Sequence, residues 1–205
     1  MSTYKLTYFN AKGRAELTRL VFAQAGVEYT DERLTFEEWP ARSPHTPFGV
    51  LPVLEVDGKQ LGGSLVIARY VAEKHGVAGS NDFENALIAS ILDSVSDLQL
   101  QLHPWWSEKD EAKKAELLKE LTEHGIPAAL ANFEKFAAGN SDGWLVGSKP
   151  TYGDLCVFNV LDFLSTFLHI PTVLEKFPAL SQLKKNVESL PNIAKWIQTR
   201  PQTPF

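Results

Sequence analysis

Two hydrophobic rhythms divide this chain. In the first part apolar and polar positions alternate over Tyr4 to Phe9, as they do in a strand with one buried face, and helical spacing follows over Arg14 to Ala25. Tyr29 to Leu34 again reads as a strand, and Val53 to Val56 and Lys59 to Leu61 flank Asp57-Gly58, a hairpin-turn pair. A helix then opens at Ser64 and covers Leu65 to Lys74, giving the order β-α-β followed by β-β-α. After the Gly-rich break "GVAGSND" the rhythm changes: Ile88, Ile91, Val95, Leu98 and Leu102 are spaced alternately by three and four, and no strand pattern returns. Leu180, Leu183, Val187 and Leu190 repeat that spacing, and Gly139 follows a helical run ending at Ala138 as a stop signal. "Thr151-Tyr-Gly-Asp154" has the form of a capping box with Asp in the acidic place, so it starts a helix rather than carrying chemistry. The pattern predicts a small α/β domain over residues 1–79 and an all-helical domain over 80–205.

Composition narrows the function more than the fold. At 205 residues and 44% hydrophobic the chain buries a substantial core, and the net charge of -5 with no basic stripe gives no support to a nucleic-acid surface. The start MSTYKLTYFN has no secretory apolar core, and the most apolar later stretch, Leu155 to Leu168, is broken by Asn159 and Asp162. A soluble, cytosolic protein without a membrane partner is therefore expected. Cys156 is the only cysteine, which excludes an intramolecular disulfide, a CxxC redox pair and a cysteine-rich zinc site. The histidines His45, His75, His103, His124 and His169 show no ligand spacing, so no metal is expected.

Tyr8 stands at the carboxyl end of the first strand, where unpaired N–H groups of loops and helix starts collect ligands in α/β units. By itself it reads first as a strand aromatic. The segments "YKLTYFNAKGRAELTRL", "GVLPVLEVDGK", "GGSLVIARYVAEKHGVAG", "SKPTYGDL" and "NIAKWIQTRPQTPF" together resemble, in order and over the whole chain, a sigma-class glutathione transferase of the nematode type, similar to haematopoietic prostaglandin D synthase. The resemblance implies a thioredoxin-like amino-terminal domain that holds glutathione, an all-helical carboxyl-terminal domain, and a homodimer.

It also implies roles. Tyr8 becomes the phenol that donates to the glutathione thiolate. Such a hydrogen bond contributes roughly 1.5–3 kcal/mol, enough to lower a thiol pKa near 8.5 by about one to two units. Arg14 belongs beside it. Trp39, Gly49, Val50, Leu51, Gly63 and Ser64 form the rest of the tripeptide site, with a cis bond before Pro52 and with the Ser64 helix start as an anion site. Read from the residues alone, Ser64 is as readily a plain N-cap, which is compatible with an anion site. Asp97, four residues after Asp93 on one helical face, is implied to cross the dimer interface to the partner's glutathione ammonium. Where relatives carry polar side chains this chain has Ser43, Val50 and Gly63, with Arg42 as the nearby replacement charge, so weaker glutathione binding is expected. Gly63→Gln should restore a bond unless the backbone there needs positive φ.

For the second substrate the resemblance implies Phe9, Ala11, Arg14, Gln99, Trp105, Cys156, Val160 and Thr199, a roomy and mainly apolar set suited to hydrophobic electrophiles. Cys156, amid Leu155, Val157 and Phe158, reads as an inert core residue. The implied activity is conjugation of glutathione to hydrophobic electrophiles, with peroxidase or prostaglandin isomerase side activity. The alternative on the same fold is a weakened dimeric carrier of haem or lipophiles, or a crystallin-like protein.

Overall fold

A computed structural model describes residues 2–168 and 170–203. Contacts divide it into two compact units, one of residues 1–78 with 187–205 and one of residues 79–186.

The first unit is built on strands β1 (Tyr4–Phe9), β2 (Thr30–Leu34), β3 (Val53–Val56) and β4 (Lys59–Gly62). They form one sheet in the order β2-β1-β3-β4, with β1 parallel to β2 and antiparallel to β3, and β3 antiparallel to β4. Asp57 (φ 49°) and Gly58 (φ 80°) make the tight turn that the Asp-Gly pair predicts, and the Asp57 carboxylate accepts the Thr3 N–H at 2.8 Å. Helices α1 (Glu16–Ala25) and α3 (Ser64–Lys74) pack on each other beside the sheet, burying Leu17, Leu20 and Val21 against Ile67, Ala68 and Val71. α1 ends at Gly26, whose left-handed φ of 66° lets its N–H close the last turn. The short helix α2 (Trp39–Arg42) stands between β2 and β3. Because side chains alternate along a strand, Tyr4, Leu6 and Tyr8 share one face of β1, while Lys5, Thr7 and Phe9 share the face toward α2.

Among the described residues of the second unit the regular elements are helices: α4 (Asp82–Ser107), α5 (Glu111–Glu120), α6 (Ile126–Gly139), α7 (Tyr152–Thr166) and most of α8 (Pro178–Ser189). Its core joins Ile88, Ile91 and Val95 of α4, Leu130 and Phe133 of α6, and Leu155, Phe158 and Leu161 of α7, all essentially inaccessible. α5 and α6 run into one another through a single π-type turn, Leu121–Gly125, which the apolar spacing does not reveal. The last helix, α9 (Pro191–Thr199), belongs to the first unit and packs on α1, burying Ile193.

The capping box at Thr151 is present. The buried Asp154 carboxylate accepts from the Thr151 N–H at 2.7 Å, the Thr151 hydroxyl at 2.8 Å and the Leu145 N–H at 2.7 Å, so it ties the preceding loop to the start of α7. Burial nevertheless pushes its carboxyl up to about 6, with those three donors pulling the other way.

Candidate functional site

Tyr8 is half-buried at the next-to-last position of β1, and the turn after the strand folds back over its ring. The Arg14 N–H donates to the Tyr8 hydroxyl oxygen at 3.2 Å. With that oxygen already accepting, the phenolic proton is free to point at a ligand. Gly13 makes the arrangement possible. Its φ is 43°, and a Cβ there would lie 2.6 Å from the Tyr8 hydroxyl, so any other residue would push the ring out of place.

The turn is anchored from below by Arg19, a fully buried arginine on α1. Its Nη1 donates to the Ala11 carbonyl at 2.6 Å and the Lys12 carbonyl at 3.4 Å, and its guanidinium lies 6.0 Å from the Tyr8 ring centroid. The buried charge is balanced by Glu16 at 3.4 Å and Asp31 at 3.2 Å. Glu16, only 1% exposed, also accepts from the Trp196 indole N–H at 2.9 Å and the Arg200 guanidinium at 3.0 Å. The carboxyl-terminal segment is thus tied through one carboxylate and one arginine to the loop that carries the tyrosine. The i,i+3 pair Glu16–Arg19 is visible in the sequence, but its long-range partners leave no local signal, and the sequence reading missed this network.

Other predicted positions in the first unit frame the same end of the sheet. Leu51 is half-buried and precedes a cis Pro52. Trp39 is half-buried, Gly49 (φ 64°) and Val50 are exposed, and Arg14 is exposed beside Tyr8. A cavity of about 60 Å³ lies among Trp39, Arg42, Leu51 and the sheet residues Thr7 and Val53. Arg42 does not stand free as a replacement charge: its Nη2 is 2.8 Å from Glu32 Oε2, which also accepts the Thr7 hydroxyl at 2.7 Å. These two donors hold the Glu32 carboxyl below its ordinary value, against partial desolvation.

The N-cap reading of Ser64 needs correction. Gly63 is the N-cap of α3, and Ser64 is its first helical residue, half-buried. Gly63 has φ 93° and ψ 110°, a region costly for any residue with a Cβ. The N–H groups of the first turn have no partners earlier in the helix.

Thr199, at the end of α9, is exposed, and its hydroxyl donates to the Lys195 carbonyl at 2.9 Å. The remaining predicted residues belong to the second unit: Asp97 exposed and Gln99 half-buried on α4, Trp105 and Val160 buried, and Cys156 buried on α7. Burial pushes the Cys156 thiol up to about 12, so it carries no thiolate at neutral pH. Among the described residues no group of three or more His, Cys, Asp or Glu side chains is placed to hold a metal; His169 lies outside the described residues.

A cleft of about 510 Å³ lies on the α2 side of β1 over Phe9, Ala11, Leu34 and Phe36, with Arg33 and Glu37 at its rim; Tyr8 does not line it. Phe9 forms its wall, with its ring 5.6 Å from that of Tyr8 and stacked at 4.6 Å on Phe36, a residue the sequence reading did not single out.

Known proteins match this chain over its whole length. The family model "Glutathione S-transferase, N-terminal domain" matches residues 4–73, and "Glutathione S-transferase, C-terminal domain" matches residues 96–200. The chain is 42% identical to "Probable glutathione S-transferase 6" of Caenorhabditis elegans, over 100% of both chains. It is 40% identical to the "Hematopoietic prostaglandin D synthase" of Gallus gallus, over 99% of both. Among solved structures it superposes on the monomeric Na-GST-3 of the hookworm Necator americanus with a TM-score of 0.92, at 38% identity over 99% of this chain and 100% of that one.

Proposed function

The chain belongs to the glutathione S-transferase family and is an enzyme of that kind, with a thioredoxin-like first domain and a helical second one; on that premise we propose that Tyr8 is the residue that makes the thiolate. The observation that carries the proposal is the Tyr8 hydroxyl itself, accepting from the Arg14 N–H at 3.2 Å and so oriented to donate its own proton. Glutathione supplies a thiol that is mostly protonated at neutral pH. A phenol donating one hydrogen bond to the sulfur stabilises the anion by roughly 1.5–3 kcal/mol, which makes thiolate a major species. No separate base is needed.

The tripeptide is held at the same end of the sheet. The start of α3, with Ser64 as its first residue, takes a carboxylate. The Leu51 backbone pairs with the cysteinyl amide, the Trp39 indole reaches the other carboxylate, and Gly49, Val50 and Gly63 contribute backbone groups. Arg42 contributes only by leaving Glu32. Since Ser43, Val50 and Gly63 bring no charged or amide side chain, affinity for glutathione is lower than in relatives that have one there.

Hydrophobic electrophiles are the second substrate, met in the first unit by Phe9, Ala11, Arg14 and Thr199. Peroxide reduction and prostaglandin isomerisation would draw on the same thiolate, and the prostaglandin D synthases among the relatives support the latter. The protein acts as a cytosolic sigma-class homodimer in which Asp97 of each copy meets the glutathione ammonium of the other. Large exposed apolar side chains, Phe48, Val50 and Val66 on the first unit and Phe83 and Leu100 on the second, support a covered surface.

Replacing Tyr8 by Phe tests the central assignment. Turnover with a halonitrobenzene should fall about tenfold to a hundredfold, equivalent to losing about 1.4–2.7 kcal/mol, while the fold and glutathione binding persist. Unchanged turnover would overturn it.

A further inference from the structure

Beside Trp39 a cation is present but already engaged. Trp39 and Arg42 lie three positions apart on α2, so their side chains are neighbours on one helical face. Both line the cavity of about 60 Å³ that also touches Leu51. Ser43, the next residue, carries no charge, and Lys5, which also lines the cavity, is 3.3 Å from Glu55. Arg42 is the cation best placed to meet an anion brought in beside Trp39, and Glu32, outside the cavity lining, holds its guanidinium.

Strand register builds that hold. In the parallel pair of β1 and β2, Thr7 stands opposite Glu32, so both side chains emerge on the same face of the sheet. Thr7 is buried, and its hydroxyl donates to Glu32 Oε2 at 2.7 Å. Arg42 Nη2 donates to the same oxygen at 2.8 Å. Glu32 is thus fixed from the sheet, and it keeps the Thr7 bond when Arg42 turns away.

The ion pair is easily exchanged. The Arg42 side chain is 45% exposed and that of Glu32 28%, so water screens their attraction and the pair is weak. A ligand carboxylate arriving beside Trp39 competes for the same guanidinium with the same chemistry. Binding then trades one ion pair of Arg42 for another, and the new contact is offset by loss of the old one.

We propose that Glu32 is a positioning residue that lowers the affinity for glutathione by withholding Arg42 from the glycyl carboxylate, with Thr7 holding Glu32 in place. The inference rests on the glutathione site proposed above and adds a residue that weakens it.

Calorimetric titration of glutathione and of its glycyl ethyl ester tests this in wild type, Glu32→Gln, Arg42→Gln and the double variant. Glutamine keeps the shape of Glu32 and an oxygen for the Thr7 hydroxyl, so the variant folds, which a melting curve verifies. The dissociation constant for glutathione should fall roughly twofold to fivefold in Glu32→Gln, as the strength of an exposed ion pair allows. The ester, uncharged at its glycyl end, should bind wild type and Glu32→Gln alike. In the Arg42→Gln background the Glu32 substitution should change nothing, because the cation to be released is gone. An unchanged or raised constant in Glu32→Gln overturns the proposal and leaves the transferase reading standing. A gain that persists with the ester, or without Arg42, also overturns it, since only the removal of a nearby negative charge would then be at work. If wild type shows no binding at millimolar glutathione, binding that emerges in Glu32→Gln supports the restraint by Glu32. Binding by neither protein overturns it together with the glutathione site.

Discussion

Two glycines carry more of the site than their size suggests. Gly13 leaves the space that the Tyr8 hydroxyl fills, so Gly13→Ala should lower turnover about as much as Tyr8→Phe does, because the methyl group would stand where the hydroxyl is. Steady-state kinetics with retained glutathione binding would bear this out; full activity would mean that the turn relaxes without moving the ring. At Gly63 the sequence left two outcomes open for Gly63→Gln, a gained hydrogen bond or a strained backbone. A φ of 93° selects strain, although a Cβ there would meet only Val66 at an ordinary 3.6 Å. The variant should melt several degrees lower, in keeping with a cost on the order of 1–3 kcal/mol. An unchanged melting temperature together with tighter binding would favour the other outcome. Strand alternation placed Tyr8 near the carboxyl end of β1, where it stands, while the role given to it came from the resemblance alone. The φ at Gly63 was not legible, since a glycine before a helix serves many conformations. Ser64 was misread as the cap for the same reason: only the backbone angles tell the cap from the residue after it.

Among elements, periodicity located every strand of the sheet and the capping box of α7, because each buries a face or satisfies helix-end groups with neighbours close in sequence. It did not show the tie from Trp196 and Arg200 to Glu16, which joins residues 180 and 184 positions apart. The double variant Trp196→Phe with Arg200→Gln should leave Glu16 answered by Arg19 alone and loosen the Ala11–Lys12 turn. A melting temperature lowered by several degrees and a kcat reduced with KM little changed are the expected results. Wild-type kcat would confine the network to stability. For α7, burial holds the Asp154 carboxyl at about 6 against an ordinary 3.8. A folded-state pKa raised above the unfolded one means that this group's stabilising contribution is complete below about pH 4 and is lost as pH rises through 6, by up to about 3 kcal/mol. The stability gap between wild type and Asp154→Asn, measured by denaturant unfolding, should therefore narrow from pH 4 to pH 6.5. A gap that widens would contradict this.

For the molecule as a whole, the division at residue 79 came from a change of rhythm, whereas the return of α9 to the first unit could not be read from any local pattern. Assembly is likewise invisible to periodicity. A homodimer that shares Asp97 predicts a dimer in sedimentation at micromolar concentration and a raised glutathione KM in Asp97→Ala, with the chemistry of the thiolate untouched. A monomer, as in the hookworm relative, would leave Asp97 without the role assigned to it. The proposed reaction depends on one claim, that Tyr8 lowers the pKa of bound glutathione. Ultraviolet titration of the thiolate in the binary complex measures this directly, and the pKa should lie about one to two units lower in the wild-type protein than in Tyr8→Phe. Equal values in the two proteins would contradict the account.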